Sequence, residues 1–142
     1  MSTLKDKRKS KIDTTNPDNT LRIQLESMRT GSTQIVYQLA SPSNRQSTAQ
    51  GGYNYSMFDT MVRNPMYSPL LNFQRYKVLT KKRFNNQYQA DILINKNGFS
   101  YKFRFQMSLQ PRNIIDIHPS LGPFIMKPGH APVWRTDSVF PL

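Results

Sequence analysis

Alternation of apolar and polar residues dominates the second half of the chain. Phe99, Tyr101, Phe103, Phe105, Met107 and Leu109 fall on one face of an extended segment, with Ser100, Lys102, Arg104, Gln106 and Ser108 on the other. An unbroken alternation of this length predicts a β-strand with a buried aromatic face. Tyr88 to Ile94 (YQADILI) predicts the strand before it, and Lys96-Asn97-Gly98 predicts a tight turn between them, since Asn-Gly accepts positive φ at low cost. Phe73 to Phe84 (FQRYKVLTKKRF) predicts a further strand that stops at Asn85-Asn86. A regular period of two puts Tyr76, Val78 and Phe84 on one face, and Arg75, Lys77, Leu79, Lys81 and Arg83 on the other.

The first half reads less regularly. Leu21, Ile23 and Leu25 alternate with Arg22, Gln24 and Glu26, which predicts a half-buried strand. Arg29-Thr30-Gly31-Ser32 is a turn signal, and Ile35, Tyr37 and Leu39 alternate again, so the two segments predict an antiparallel hairpin. Ser41 to Gly52 is a long polar loop. Tyr53 to Phe58 predicts a strand, or Met57 to Val62 a short helix, before Pro65 and Pro69 forbid regular structure. Beyond Pro111, a short apolar segment (Asn113 to Ile117) is followed by repeated Pro and Gly; Val133-Trp134 and Val139-Phe140 predict extended pieces on the sheet. Together these elements predict an all-β, antiparallel sandwich or barrel. Residues 1–20, polar and without period, read as a flexible arm closed by Asn16-Pro17-Asp18-Asn19. Residues 21–142 read as a single domain with a Pro-rich C-terminal segment.

Charge adds a function class to this outline. The net charge is +12 on 142 residues, and residues 1–11 hold five Lys/Arg against one Asp. Lys5, Lys7, Arg8, Lys9 and Lys11 therefore form a cationic arm, and Arg75, Lys77, Lys81, Lys82 and Arg83 a second cluster on a strand. Lys102 and Arg104 extend that surface if their strands are neighbours. Five cations without a neighbouring carboxylate repel one another, so another molecule is expected to supply the anions; nucleic acid phosphate is the obvious source. Such binding is salt-dependent and carries little sequence information, for DNA or RNA alike. Tyr53, Tyr55 and Tyr88 are candidates for stacking on bases.

Catalytic and cofactor chemistry finds no footing. With no cysteine, disulfides and thiolate metal sites are excluded. His118 and His130 lack ligand spacing, and Asp59, Asp91, Asp116 and Asp137 are scattered. Phosphate loops, nucleophile elbows and dinucleotide fingerprints are absent. The expectation is a non-enzyme without cofactor, metal or small-molecule substrate. No apolar run is long enough to span a bilayer, and no apolar stretch follows the basic N-terminus as in a secretory signal, so no membrane partner is expected.

Over Arg75 to Phe84 (RYKVLTKKRF), preceded by a basic N-terminal arm, the chain resembles coat proteins of small circular single-stranded DNA viruses. That resemblance implies a jelly-roll subunit located in a virion, with the arm and the strand's basic residues facing the packaged genome. It makes the expected function a shell protein that associates with copies of itself or with other subunits. The apolar residues near the C-terminus (Phe124, Ile125, Val133, Trp134, Val139 and Phe140) are the expected subunit contacts, since aromatic anchors favour such surfaces. The alternatives are a ribosomal or organellar ribonucleoprotein subunit and a single-strand-binding module of OB type.

Overall fold

Four alternating segments pair into one antiparallel sheet in the computed structural model, which describes residues 10–44, 55–111, 120–121, 124–126 and 131–142. In chain order the elements are β1 (Ser10–Ile12), α1 (Pro17–Arg29), α2 (Thr33–Gln38), α3 (Tyr55–Val62), β2 (Arg75–Phe84), β3 (Gln87–Lys96), β4 (Phe99–Gln110), β5 (Ser120–Leu121), β6 (Phe124–Met126) and β7 (Val133–Pro141). The sheet order is β2-β3-β4-β7, and β1, β6 and β5 form a separate small sheet. β2, β3 and β4 arise in the segments where alternation predicts strands. Asn97 and Gly98, at φ 53° and 83°, form the turn between β3 and β4, and Asn85 takes φ 55° between β2 and β3. The two expected C-terminal pieces are one strand, β7, in which Asp137 is an extra residue opposite the Gln106–Met107 step of β4.

The all-β expectation is corrected by the first half of the chain. Leu21 to Glu26 is not a strand, and the Leu21–Leu39 hairpin is a pair of helices. Asn16 caps α1 by accepting the Asp18 N–H at 2.9 Å, Pro17 supplies a preset φ in the first turn, and Asp18 lies beside the positive end of the helix. At the other end Gly31, at φ 75°, lets the Gly31 N–H reach the Met28 carbonyl (3.0 Å) and the Ser32 N–H reach that of Ser27 (2.7 Å). The arm boundary expected at residue 20 therefore falls inside α1. Of the two expectations for the next segment, the helix is the one formed: residues 55–58 belong to α3, not to a strand.

α1, α2 and α3 pack on the same side of the sheet. Leu21, Leu25 and Met28 of α1, Val36 and Tyr37 of α2, and Phe58 and Val62 of α3 meet Tyr88, Ala90, Ile92 and Ile94 of β3 and Phe103, Phe105 and Met107 of β4. Trp134 of β7 completes this cluster. Each fully buried aliphatic or aromatic side chain here contributes about 1.5–3 kcal/mol of transfer free energy. The sheet is therefore one wall of a helix-on-sheet core. The far edge, β7, is covered: the Thr136 N–H donates to the Leu39 carbonyl (2.9 Å), the Ser41 N–H to that of Thr136 (2.8 Å), and the Trp134 N–H to that of Thr14 (2.7 Å). The outer edge of β2 pairs with no strand among the described residues.

Candidate nucleic-acid interface

The side of the sheet away from the helices is polar, and cross-strand register decides what stands on it. β2 pairs regularly with β3 as far as Val78 opposite Ile92, then resumes at Thr80 opposite Asp91. Leu79 is the extra residue of a β-bulge, and a bulge reverses the parity of everything after it. Lys81 and Arg83 thus stand opposite the buried Ala90 and Tyr88, on the helix side. Arg75, Lys77, Thr80, Lys82 and Phe84 stand opposite Asn95, Leu93, Asp91, Gln89 and Gln87, on the open side. This corrects the single five-cation face expected from regular alternation, and it moves Phe84 off the face of Tyr76 and Val78.

On the open side the strands form rows. Lys77, Leu93 and Lys102 make one; Thr80, Asp91, Arg104 and Phe140 a second; Lys82, Gln89, Gln106 and Ser138 a third. Five cations (Arg75, Lys77, Lys82, Lys102 and Arg104) stand here with Asp91; Asp137, the bulge residue of β7, lines a hollow with Lys82, Gln89 and Gln106, and Arg135, opposite Ser108 in the same register, is buried. Arg104 clasps Asp91 with Nε on Oδ1 at 2.8 Å and Nη2 on Oδ2 at 3.1 Å. That guanidinium holds the Asp91 carboxyl below its ordinary range, with Thr80 and Lys102 adding smaller pulls. The third row is a hydrogen-bonded ladder: the Ser138 hydroxyl donates to Gln106 Oε1 at 2.7 Å, and Gln106 Nε2 lies 3.5 Å from Gln89 Oε1. Phe84, 61% exposed, and the half-buried Phe140 put aromatic rings at two places on this face.

The two displaced cations have partners on the helix side. Lys81 Nζ lies 3.3 Å from Asp18 Oδ1, and the Arg83 guanidinium sits 5.1 Å from the centroid of the Trp134 ring. Tyr88 donates its hydroxyl to Asp18 at 2.7 Å, and this bond, followed by Lys81, keeps the Asp18 carboxyl below its ordinary range against the effect of burial. Burial first, and Asp18 second, raise the Tyr88 phenol. Tyr88 is thus a buried core residue, which corrects its expected role in stacking on bases. Tyr55 stands on α3, its hydroxyl 2.7 Å from that of Thr33 and its ring edge-on to Tyr37, in a helix packed on the opposite side of the sheet.

The expected site residues therefore separate into groups. Arg75, Lys77, Lys82, Lys102 and Arg104 are brought together, while Lys81 and Arg83 are not. Lys5, Lys7, Arg8, Lys9, Tyr53, His118 and His130 lie outside the described residues, and Lys11, Phe124 and Ile125 are placed by backbone alone. Val133 and Trp134 have no exposed surface, and Val139 packs against the core, so these three are interior residues and not the expected subunit contacts. Phe140 belongs to the open face opposite Arg104. The Gln89–Gln106–Ser138 ladder was missed, although the polar half of the β3 and β4 alternation carries two of its members. Among the described residues no group of three or more His, Asp or Glu side chains is arranged to hold a metal. No helix of the described residues is long and apolar enough to cross a membrane. Compared with protein families, curated proteins and solved structures, the chain finds no match.

Proposed function

We propose that the protein binds single-stranded nucleic acid across the open side of its sheet. The observation that carries this reading is the excess of cations, Arg75, Lys77, Lys82, Lys102 and Arg104 against Asp91 and the nearby Asp137, on a polar sheet face whose reverse is covered by α1, α2 and α3. Arg75, Lys77, Lys82 and Lys102 neutralise phosphates and release their counterions. Phe84 and Phe140 offer rings for base stacking, worth about 1–3 kcal/mol per base, which requires unpaired bases and favours a single strand over a duplex. The glutamine ladder supplies donors and acceptors between the cations without demanding a particular base. The basic residues 1–11 add further phosphate contacts.

A virion shell subunit that turns this face toward a packaged genome would use these contacts, and so would a ribonucleoprotein subunit. Phosphate neutralisation on the sheet is common to both. The jelly roll that the coat-protein resemblance implies would require a second large sheet, and the binding proposed here does not depend on one. The test is fluorescence anisotropy with a labelled oligothymidylate of about 20 nucleotides and a duplex of equal length, after nucleic acid has been stripped at high salt. Tight binding of the single strand at low salt, weakened about tenfold or more by Lys102→Glu, is the expected result. Absence of binding at low salt overturns the proposal, and tighter binding of the duplex overturns its single-strand form.

A further inference from the structure

The outer edge of β2 carries a second set of features that the nucleic-acid face does not use. Along the outer side of β2 (Arg75–Phe84) the backbone N–H and C=O groups of alternate residues, those not turned toward β3, have no strand partner among the described residues. Beside this edge, between β2 and α1, runs a groove of about 450 Å³. Leu21 and Leu25 of α1 line one side, and Tyr76, Val78 and Leu79 of β2 the other. Val78 and Leu79 are each 38% exposed, which is unusual for aliphatic side chains on a strand otherwise rich in charge. An open edge flanked by an apolar groove is the geometry in which a peptide adds a strand: the edge supplies main-chain hydrogen bonds, and the groove takes alternate side chains.

Charge decides what fits. Arg22 and Lys81 line the groove and Arg83 follows on the same side of β2, with Arg75, Lys77 and Lys82 across the strand on its open side, and Asp18 is already engaged by Lys81 and Tyr88. A second copy of this edge would set cations against cations, since antiparallel self-pairing brings Lys77 opposite Lys82. The chain has no acidic segment of its own to offer: its eight carboxylates are dispersed, no two within four residues of each other. Nucleic acid would satisfy the cations but has neither the backbone amides nor the apolar side chains to use the rest. We propose that β2 takes up an extended acidic segment of another protein, with alternating apolar and Asp/Glu residues, the apolar ones entering the α1–β2 groove.

The probe is a synthetic peptide of about seven residues alternating glutamate and valine, titrated against the full chain while backbone amide exchange is followed by NMR. Slowed exchange confined to amides along Arg75–Phe84 is expected. Val78→Glu, which puts a like charge into the groove, is expected to weaken the peptide about tenfold or more. Val78→Thr keeps the strand and removes only apolar surface, so it is expected to weaken binding by a smaller factor and serves if the glutamate variant unfolds. Peptide that leaves the edge amides unchanged overturns the proposal, as does polyglutamate that slows them equally. An oligonucleotide protecting the same amides would assign the edge to nucleic acid and also overturn it. Lys102→Glu, on the open face, is expected to leave peptide binding within about twofold, which separates this site from the nucleic-acid site.

Discussion

The bulge at Leu79 makes a prediction that regular alternation would reverse. Four cations of the open face, Arg75, Lys77, Lys82 and Lys102, make no ion pair among the described residues, and Asp91 is held by Arg104. For single strands each neutralised phosphate contributes about 0.7 to the slope of log affinity against log salt, so this face supplies about 2.8. Lys77→Gln with Lys82→Gln removes two of the four contacts and is expected to lower the slope by about 1.4. Between about 50 and 200 mM salt that is the difference between roughly a 50-fold and a 7-fold loss of affinity from the sheet alone. Lys81→Gln with Arg83→Gln removes the same formal charge from the same strand, but from the helix side, where Asp18 and Trp134 already hold these residues. That pair is expected to leave the slope within about 0.3 of the parent value. The basic arm contributes equally to all three proteins and cancels from the comparison. The assay is anisotropy over a salt series with a labelled oligothymidylate. A control pair that lowers the slope as much as Lys77 and Lys82 do would refute the face assignment, and with it the proposed binding surface.

Other consequences concern stability. Gly31→Ala puts a Cβ 2.8 Å from Asn72 Oδ1 at a φ of 75°, and the left-handed backbone alone costs about 1–2 kcal/mol; urea unfolding should show a lower midpoint at unchanged m-value. Phe105→Ala empties a fully buried site at the centre of the sheet, for a loss of about 3–5 kcal/mol, read by the fluorescence of the sole tryptophan, Trp134. Asp18 and Asp91 are both held below the ordinary carboxylate value of 3.8, so their contribution is complete above that value and is lost as pH falls through their lower folded values. Asp91→Asn should therefore make acid unfolding shallower without steepening any loss at alkaline pH, and a steeper acid limb would contradict the Arg104 clasp.

What was legible in the chain follows from which surfaces are buried. β3 and β4 are buried on one side only, so their alternation states their conformation, partners and inner face at once. α1 is different because burial takes most of its circumference and leaves the stripe of Asp18, Arg22, Glu26 and Arg29 outside. Thr20, Gln24 and Ser27 are interior along with Leu21, Ile23, Leu25 and Met28. The Ser27 hydroxyl donates to the Ile23 carbonyl at 2.8 Å, and the Thr136 hydroxyl donates to Gln24 Oε1, so these polar groups are satisfied inside. Only the odd-numbered aliphatics then stand out, and they mimic a strand. The signals that favoured a helix were Pro17 after Asn16 and Gly31 beyond Arg29, which mark the entry to and exit from a helix of thirteen residues. The bulge had no local signature: Leu79 is extra only because of how β2 meets β3, a property of two strands and not of either.

That division of charge also changes the physical reason for binding. Read as one face, the basic strand invites the argument that repulsion among five cations demands an external anion. In the fold, β3 intervenes between Lys77 and Lys102, so their backbones are two strand spacings, roughly 10 Å, apart. That is about one Debye length at 0.1 M salt, and their repulsion is largely screened. Lys81 and Arg83 are on the opposite side with partners of their own. The unliganded sheet is thus under little electrostatic strain, and relief of strain supplies little of the affinity for a polyanion. The driving force must come instead from the ions that a phosphate chain sheds when it lies across the cationic rows, which is why the salt slope, rather than affinity at a single salt concentration, is the quantity that reports on this surface.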